Sequence, residues 1–144
     1  MSGDVLTTWG VVLDVSRPAL GEEPEAASRC FDAGRAAYFE RCPGLAEYLR
    51  AEAAALRVTT EQVGPISATE PDAQLRVGVS VIEVRPTTFE MAVRIRSAGE
   101  TPIAPVNGRC TVVIERVATG ERIAIPREVR AEFIAIQLGA RGLA

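Results

Sequence analysis

The order of the regular segments constrains the fold more than any single residue does. Residues 31–56 are rich in alanine and have the pattern of a long helix, and four amphipathic strands follow between residues 75 and 133. A major helix followed by an antiparallel run of strands is typical of α+β designs in which a curved sheet wraps a helix. A chain of 144 residues is long enough for one substantial core and too short for two. We therefore expect a single domain over residues 1–144.

The predicted helix has one apolar side. Along residues 31–56, apolar residues recur at steps of three, four or seven, as on one face of a helix. They are Phe31, Tyr38, Cys42, Leu45, Leu49, Ala53 and Leu56. Pro43 has no backbone N–H to donate, so we expect a break near this position. Ser28 and Asp32 carry side chains that can cap the start of the helix.

Strand patterns flank this helix. Residues 1–15 contain an apolar, β-rich run that predicts a first strand, and residues 16–30, with their prolines and glutamates, predict a loop. An antiparallel meander is predicted over residues 62–136, and its last strand over residues 122–136. The clearest strand places Phe89, Met91, Val93 and Ile95 on one face and Glu90, Ala92, Arg94 and Arg96 on the other.

Composition excludes several classes of function. The net charge of -3 argues against a nucleic-acid partner. Because histidine is absent, Ser-His pairs, Cys-His pairs and His-bound zinc are excluded, and acid-base chemistry at neutral pH falls to carboxylates. We expect no metal and no cofactor. Three scattered cysteines, without a secretion signal or a long apolar run, indicate the cytoplasm and no membrane.

Three segments together resemble a known family. Residues 32–41, Asp-Ala-Gly-Arg-Ala-Ala-Tyr-Phe-Glu-Arg, are similar to the opening of the central helix in hotdog-fold acyl-CoA thioesterases of the 4-hydroxybenzoyl-CoA thioesterase-like branch. Residues 72–83 resemble that family's strand after a Gly-Asp turn, and residues 119–130 its closing hairpin with Ile-Pro. The resemblance implies a hotdog fold, with an antiparallel sheet of five to six strands around one long central helix. It also implies a homodimer or homotetramer, with sheets joined edge to edge and a site shared between chains.

The loop before the helix departs from the family's pattern. That loop usually reads Asp-x-Asp-x-x-Gly-His-Val-Asn-Asn, with the second Asp catalytic. Counting back from Tyr38-Phe39-Glu40 places Glu23 and Glu25 at the two acidic positions, whereas the Gly and His are replaced by Ser28 and Arg29. The implied function is hydrolysis of an acyl-CoA or acyl-carrier-protein thioester.

The resemblance also suggests site residues. Glu25 is the first candidate for the base and Asp32 the second, and N–H groups of residues 32–34 in the first helical turn would bind the developing oxyanion. The candidate substrate-binding residues are Arg29, Phe31, Ala33, Gly34 and Arg35. Simpler explanations compete: a solvated loop acid for Glu25, a helix cap for Asp32, surface solvation for the arginines and core packing for Phe31.

Three alternatives remain open at this point. A hotdog domain could bind acyl ligands or assemble a dimer without hydrolysis, and the lost Gly-His-Val-Asn-Asn motif favours this. A hotdog enzyme could instead catalyse dehydration or addition on an enoyl thioester. A cone-shaped sheet with several leading helices is a weaker alternative fold, because a strand precedes the only long helix predicted here.

Overall fold

The strands form one antiparallel sheet. The computed structural model describes residues 5–7, 10–16, 25–66, 74–99 and 105–142. The strands are β1 (Val5–Thr7), β2 (Gly10–Ser16), β3 (Ala54–Val63), β4 (Gln74–Val84), β5 (Thr88–Ser97) and β6 (Val106–Arg116), and the helices are α1 (Ala26–Phe39), α2 (Pro43–Ala51) and α3 (Arg127–Gly142). The order across the sheet is β1-β2-β4-β5-β6-β3. The expected α+β fold, with a sheet of five to six strands, is confirmed.

Helix α1 lies against the inner face of the sheet. Alternate residues of β4 and β5 point towards it and are buried: Leu75, Val77, Val79, Val81, Phe89, Met91, Val93 and Ile95. The alternation predicted for β5 is therefore present in the structure. Gly34 of α1 permits the close approach, because a Cβ at this position would overlap Cγ2 of Val79. The contact of α1 with the sheet thus depends on a residue without a side chain.

The single long helix predicted over residues 31–56 is wrong in its bounds. Helix α1 begins at Ala26 and ends at Phe39, and α2 begins at Pro43. The break near residue 43 is as expected, with proline at the first helical position, where its missing N–H costs nothing. After α2, Ala53 has a positive φ of 48°, and β3 starts at Ala54 rather than near residue 62.

The predicted strand at residues 122–136 is also wrong. Arg122 forms only an isolated bridge with Glu115, and α3 begins at Arg127, directly after Pro126. Over residues 127–138 of α3, whose side chains are described, Val129, Phe133 and Ile136 are buried, and they are spaced as on one face of a helix. The ring of Phe133 packs against that of Phe89, with centroids 4.9 Å apart.

Helix α3 also holds α2 in place. The carboxylate of Glu132 accepts hydrogen bonds from the backbone N–H groups of Gly44, at 2.6 Å, and Leu45, at 2.9 Å. These N–H groups lie in the first turn of α2, where no carbonyl of the helix can accept them. Among the described helices, none is long and apolar enough to span a membrane.

Candidate functional site

On the inner side of the sheet, the buried side chain of Arg35 contacts several polar groups. Nη1 of Arg35 donates to Oε2 of Glu61 at 2.9 Å and to Sγ of Cys110 at 3.6 Å. Its Nη2 forms an ion pair with Asp32. The guanidinium lies over the ring of Phe31, 4.4 Å from the centroid, and the side chain of Arg35 is only 8% exposed. One buried cation is therefore surrounded by two carboxylates, a thiol and an aromatic ring.

A bulge in β3 brings Glu61 into this cluster. Leu56 and Val58 face inwards, so strict alternation would turn Thr60 inwards and Glu61 outwards. The register with β6 shifts by one residue between Val58 and Thr60, and Glu61 then lies opposite the inward-facing Cys110. After the bulge, each residue of β3 points to the side of the sheet opposite to the one that strict alternation would give.

The cluster lies beside the start of α1. Oγ of Ser28, in the first turn of the helix, donates to Oε1 of Glu61 at 2.6 Å. The side chain of Glu61 is 20% exposed, so it is largely sheltered from bulk water but not sealed. N–H groups in the first turn of a helix lack intrahelical acceptors and carry the positive end of the helix dipole. The contact with Ser28 therefore brings the carboxylate of Glu61 next to the start of α1, where negative charge is favoured.

Electrostatics keep Arg35 charged and Cys110 protonated. Burial lowers the pKa of Arg35, but Cys110, Glu61 and Asp32 together outweigh burial and raise it. Burial raises the pKa of the Cys110 thiol more than Arg35 lowers it. Because the thiolate is the nucleophilic form, Cys110 is a poor nucleophile.

Cys30, in the N-terminal part of α1, is fully buried. Within the described residues, no group of three His, Cys, Asp or Glu side chains is placed to hold a metal ion.

The first candidate base lies away from this cluster. Glu25 stands at the N-cap position of α1 but makes no capping hydrogen bond through its side chain. Its carboxylate is 69% exposed and pairs with Nη2 of Arg29 at 3.1 Å. Asp32 joins the cluster through Arg35, yet its side chain is 64% exposed. Of the predicted site residues, Asp32, Phe31 and Arg35 are brought together, whereas Glu25 and Arg29 pair with each other at the surface.

The expectation that residues 32–34 form the first helical turn is wrong. Because α1 begins at Ala26, these residues lie beyond the first turn, where N–H groups are used within the helix. Gly34 faces Val79 of the sheet, so its missing side chain makes room for packing rather than for a ligand. Ala33 is partly buried and packs against the core. Ala33 and Gly34 therefore lie inside α1 and against the core, and not at the start of the helix.

A large concavity lies on the outer face of the sheet. It is open, with a volume of about 910 Å³. Its outward-facing lining comprises Gln62, Ile82, Ala92, Asn107 and Arg109. Glu61 borders it through β3, but its carboxylate points to Arg35 on the inner side. Glu61 therefore borders both the concavity and the Arg35 cluster at the edge of the sheet.

Solved structures resemble this chain, although no model of a protein family and no curated protein matches its sequence. A DHNA-CoA thioesterase from Staphylococcus aureus superposes with a TM-score of 0.72 at 12% identity, over 92% of this chain and 94% of that one. The protein SAV2348 from Staphylococcus aureus, solved in complex with CoA, gives 0.71 at 9% identity, over 96% and 87%. YbaW from Escherichia coli, a probable thioesterase, gives 0.63 at 12% identity, over 84% and 94%. The chain therefore has the hotdog fold that the sequence resemblance implied.

Proposed function

We propose that the protein is an acyl thioesterase that hydrolyses a thioester of coenzyme A or of an acyl carrier protein. The hotdog fold, shared with structures described as thioesterases, supports this proposal. The observation that carries it is the position of Glu61, held at 2.6 Å by Ser28 in the first turn of α1 and at 2.9 Å by Arg35. This arrangement combines a sheltered carboxylate with the start of a helix.

Thioester hydrolysis needs a base for water and donors for the oxyanion. In the proposed mechanism Glu61 accepts a proton from water, which attacks the thioester carbonyl. The negative charge that develops on the carbonyl oxygen is stabilised by N–H groups in the first turn of α1, at residues 26–28. One such donor typically lowers a barrier by about 3 kcal/mol. Collapse of the intermediate expels the thiolate, which takes up the proton from Glu61.

We also propose that the protein works as a homodimer. Among the described strands, β3 is an edge strand of ten residues, and an edge of this length is a natural site for pairing with a second copy. Because Glu61 belongs to β3, such pairing would place it near the junction of the two sheets. A monomeric mass by light scattering at micromolar concentration would contradict this assembly.

The proposed location is the cytoplasm. All three cysteines are buried and none forms a disulfide, which suits a reducing compartment.

The test is release of free thiol from a panel of acyl-CoA and acyl-carrier thioesters. We expect turnover by the unmodified protein and a loss of roughly 100-fold or more in Glu61→Gln, since a positioned base contributes this much. Glu25→Gln and Asp32→Asn test the two carboxylates predicted from the sequence, and Glu121→Gln is a control at an exposed position. Full activity in Glu61→Gln together with loss of activity in Glu25→Gln would identify Glu25 as the base instead of Glu61. No turnover on any thioester would refute the activity.

A non-hydrolytic acyl-binding domain is the second candidate. It is favoured by the contacts of Arg35, whose donors already serve Asp32, Glu61 and Cys110, and by the solvent-facing Glu25. An ion pair of this kind can be structural rather than catalytic. Saturable binding of a non-hydrolysable acyl-CoA, combined with no release of thiol, would favour this candidate over the enzyme.

A further inference from the structure

Three arginines surround a glycine on the outer face of the sheet. Arg76 of β4 lies directly opposite Arg96 of β5, and Gly78 lies directly opposite Arg94. These residues point outwards because their neighbours along β4 and β5 are buried in the core. A cavity of about 10 Å³ lies between them, lined by Val12, Arg76, Gly78, Arg94 and Arg96. A cavity of this volume can hold about one water molecule.

Two arginines face each other across this surface. Like charges that face each other directly across two strands destabilise a sheet, and Arg76 and Arg96 are such a pair. Asp14 of β2 compensates Arg76, with Oδ1 2.9 Å from Nε. Arg96 is exposed and has no ion pair with any residue in the described part of the chain. An exposed guanidinium without a carboxylate among the described residues can attract an anion.

We propose that this cluster binds an oxyanion of the phosphate class. The planar guanidinium offers a fork of N–H donors that matches two phosphate oxygens. Because Gly78 has no side chain, one oxygen of the anion can enter the cavity while Arg96 donates to another. Arg76 and Arg94 contribute the N–H groups that their existing contacts do not use. Arg94 lies opposite Asn107, which lines the neighbouring large concavity. That concavity has room for the organic part of a phosphomonoester.

This site goes beyond the proposed thioesterase and does not depend on it. The Arg35 cluster lies on the inner side of the sheet, and the three arginines lie on the outer face. Loss of phosphate binding and loss of thioester hydrolysis can therefore be observed separately.

The test is isothermal titration of the full chain with inorganic phosphate, glycerol 3-phosphate and acetate at low ionic strength. We expect saturable binding of at least one phosphate compound with a dissociation constant of about 1 mM or tighter, and weaker binding of acetate. Arg96→Gln and Arg94→Gln should each weaken it by about tenfold or more. Arg127→Gln makes the same change in charge at an exposed position on α3 and should leave affinity unchanged. Unchanged circular dichroism and thermal midpoint establish that each variant is folded.

Each outcome decides for or against the site. Binding of glycerol 3-phosphate alone, or tighter than that of phosphate, identifies a phosphomonoester as the ligand, whereas equal binding identifies the free anion. No saturable binding of either compound overturns the proposal. Equal weakening by Arg127→Gln, or acetate binding as tight as phosphate, also overturns it, because either result indicates general attraction of anions without a built site.

Discussion

Nη1 of Arg35 lies 2.9 Å from Oε2 of Glu61, although the two residues belong to different layers of the fold. Arg35 is on the central helix α1, and Glu61 is on the edge strand β3. The ion pair therefore joins the helix to the margin of the sheet. Since both side chains are largely sheltered, removing one partner leaves the other charge poorly compensated.

The first prediction concerns the stability contributed by this pair. Arg35→Met should lower the free energy of unfolding by about 2–4 kcal/mol, because Glu61 and Asp32 lose their shared cation. Glu61→Gln alone should cost less. The double variant should lose less than the sum of the two single losses, since neither charge is then left alone. Urea denaturation of all four proteins measures this coupling. Arg50→Met, at an exposed pair with Glu47, is the control, and strict additivity at the buried pair would contradict the prediction.

The second prediction concerns Gly34. Alanine is favoured over glycine in a helix by about 1 kcal/mol, so propensity alone would make Gly34→Ala stabilising. Here the added Cβ would overlap Cγ2 of Val79, and we expect a loss of roughly 1–3 kcal/mol from overpacking. Thermal unfolding gives the sign directly. Combining the change with Val79→Ala should recover part of the loss, and a more stable Gly34→Ala would show that α1 does not pack so closely on β4.

The third prediction tests the position of α3 through Glu132. Replacing Glu132 with alanine leaves the N–H groups of Gly44 and Leu45 without their acceptor, at a cost of about 1–3 kcal/mol. Glu132→Gln should cost less, because the amide keeps one acceptor oxygen. Chemical denaturation measures both. Glu128→Ala is the control on an exposed part of α3, with an expected change within about 0.5 kcal/mol. Equal effects of Glu132→Ala and Glu128→Ala would argue against this contact.

The fourth prediction concerns stability at alkaline pH. Burial, followed by the carboxylate of Glu132, raises the pKa of the Cys42 thiol to about 12 from an ordinary value of 9.0. The folded state therefore holds this proton more tightly than the unfolded state does. The resulting stability is fully present below pH 9 and is lost as the pH rises towards 12. Burial also raises the pKa of Tyr38, which acts in the same direction.

Cys42→Ala removes the contribution of this thiol. With reducing agent present, urea unfolding between pH 7 and pH 11 should show that the unmodified protein loses stability relative to Cys42→Ala above pH 9. If the difference in free energy of unfolding between the two proteins stays constant over this range, the thiol has the same pKa in the folded and the unfolded state.

Local patterns were sufficient for part of the fold. The alternation over Phe89 to Ile95 predicts β5 and its buried face, because side chains of a strand point to alternate sides whatever the rest of the chain does. Pro43 predicts the break between α1 and α2, because the missing N–H is a property of the residue itself. These features depend only on covalent geometry and on neighbours in the sequence.

Other features were decided by tertiary contacts. Residues 127–136 carry apolar side chains that fit a strand as well as a helix, and packing of Phe133 against Phe89 together with the contact from Glu132 to α2 selects the helix. Glu61 could not be identified from the sequence, because a bulge in the pairing of β3 with β6 decides on which face of the sheet its side chain lies. A one-residue shift moves a side chain from solvent to the interior. The sequence alone thus determined the break at Pro43 and the apolar face of β5, while pairing between distant strands decided which carboxylate meets Arg35.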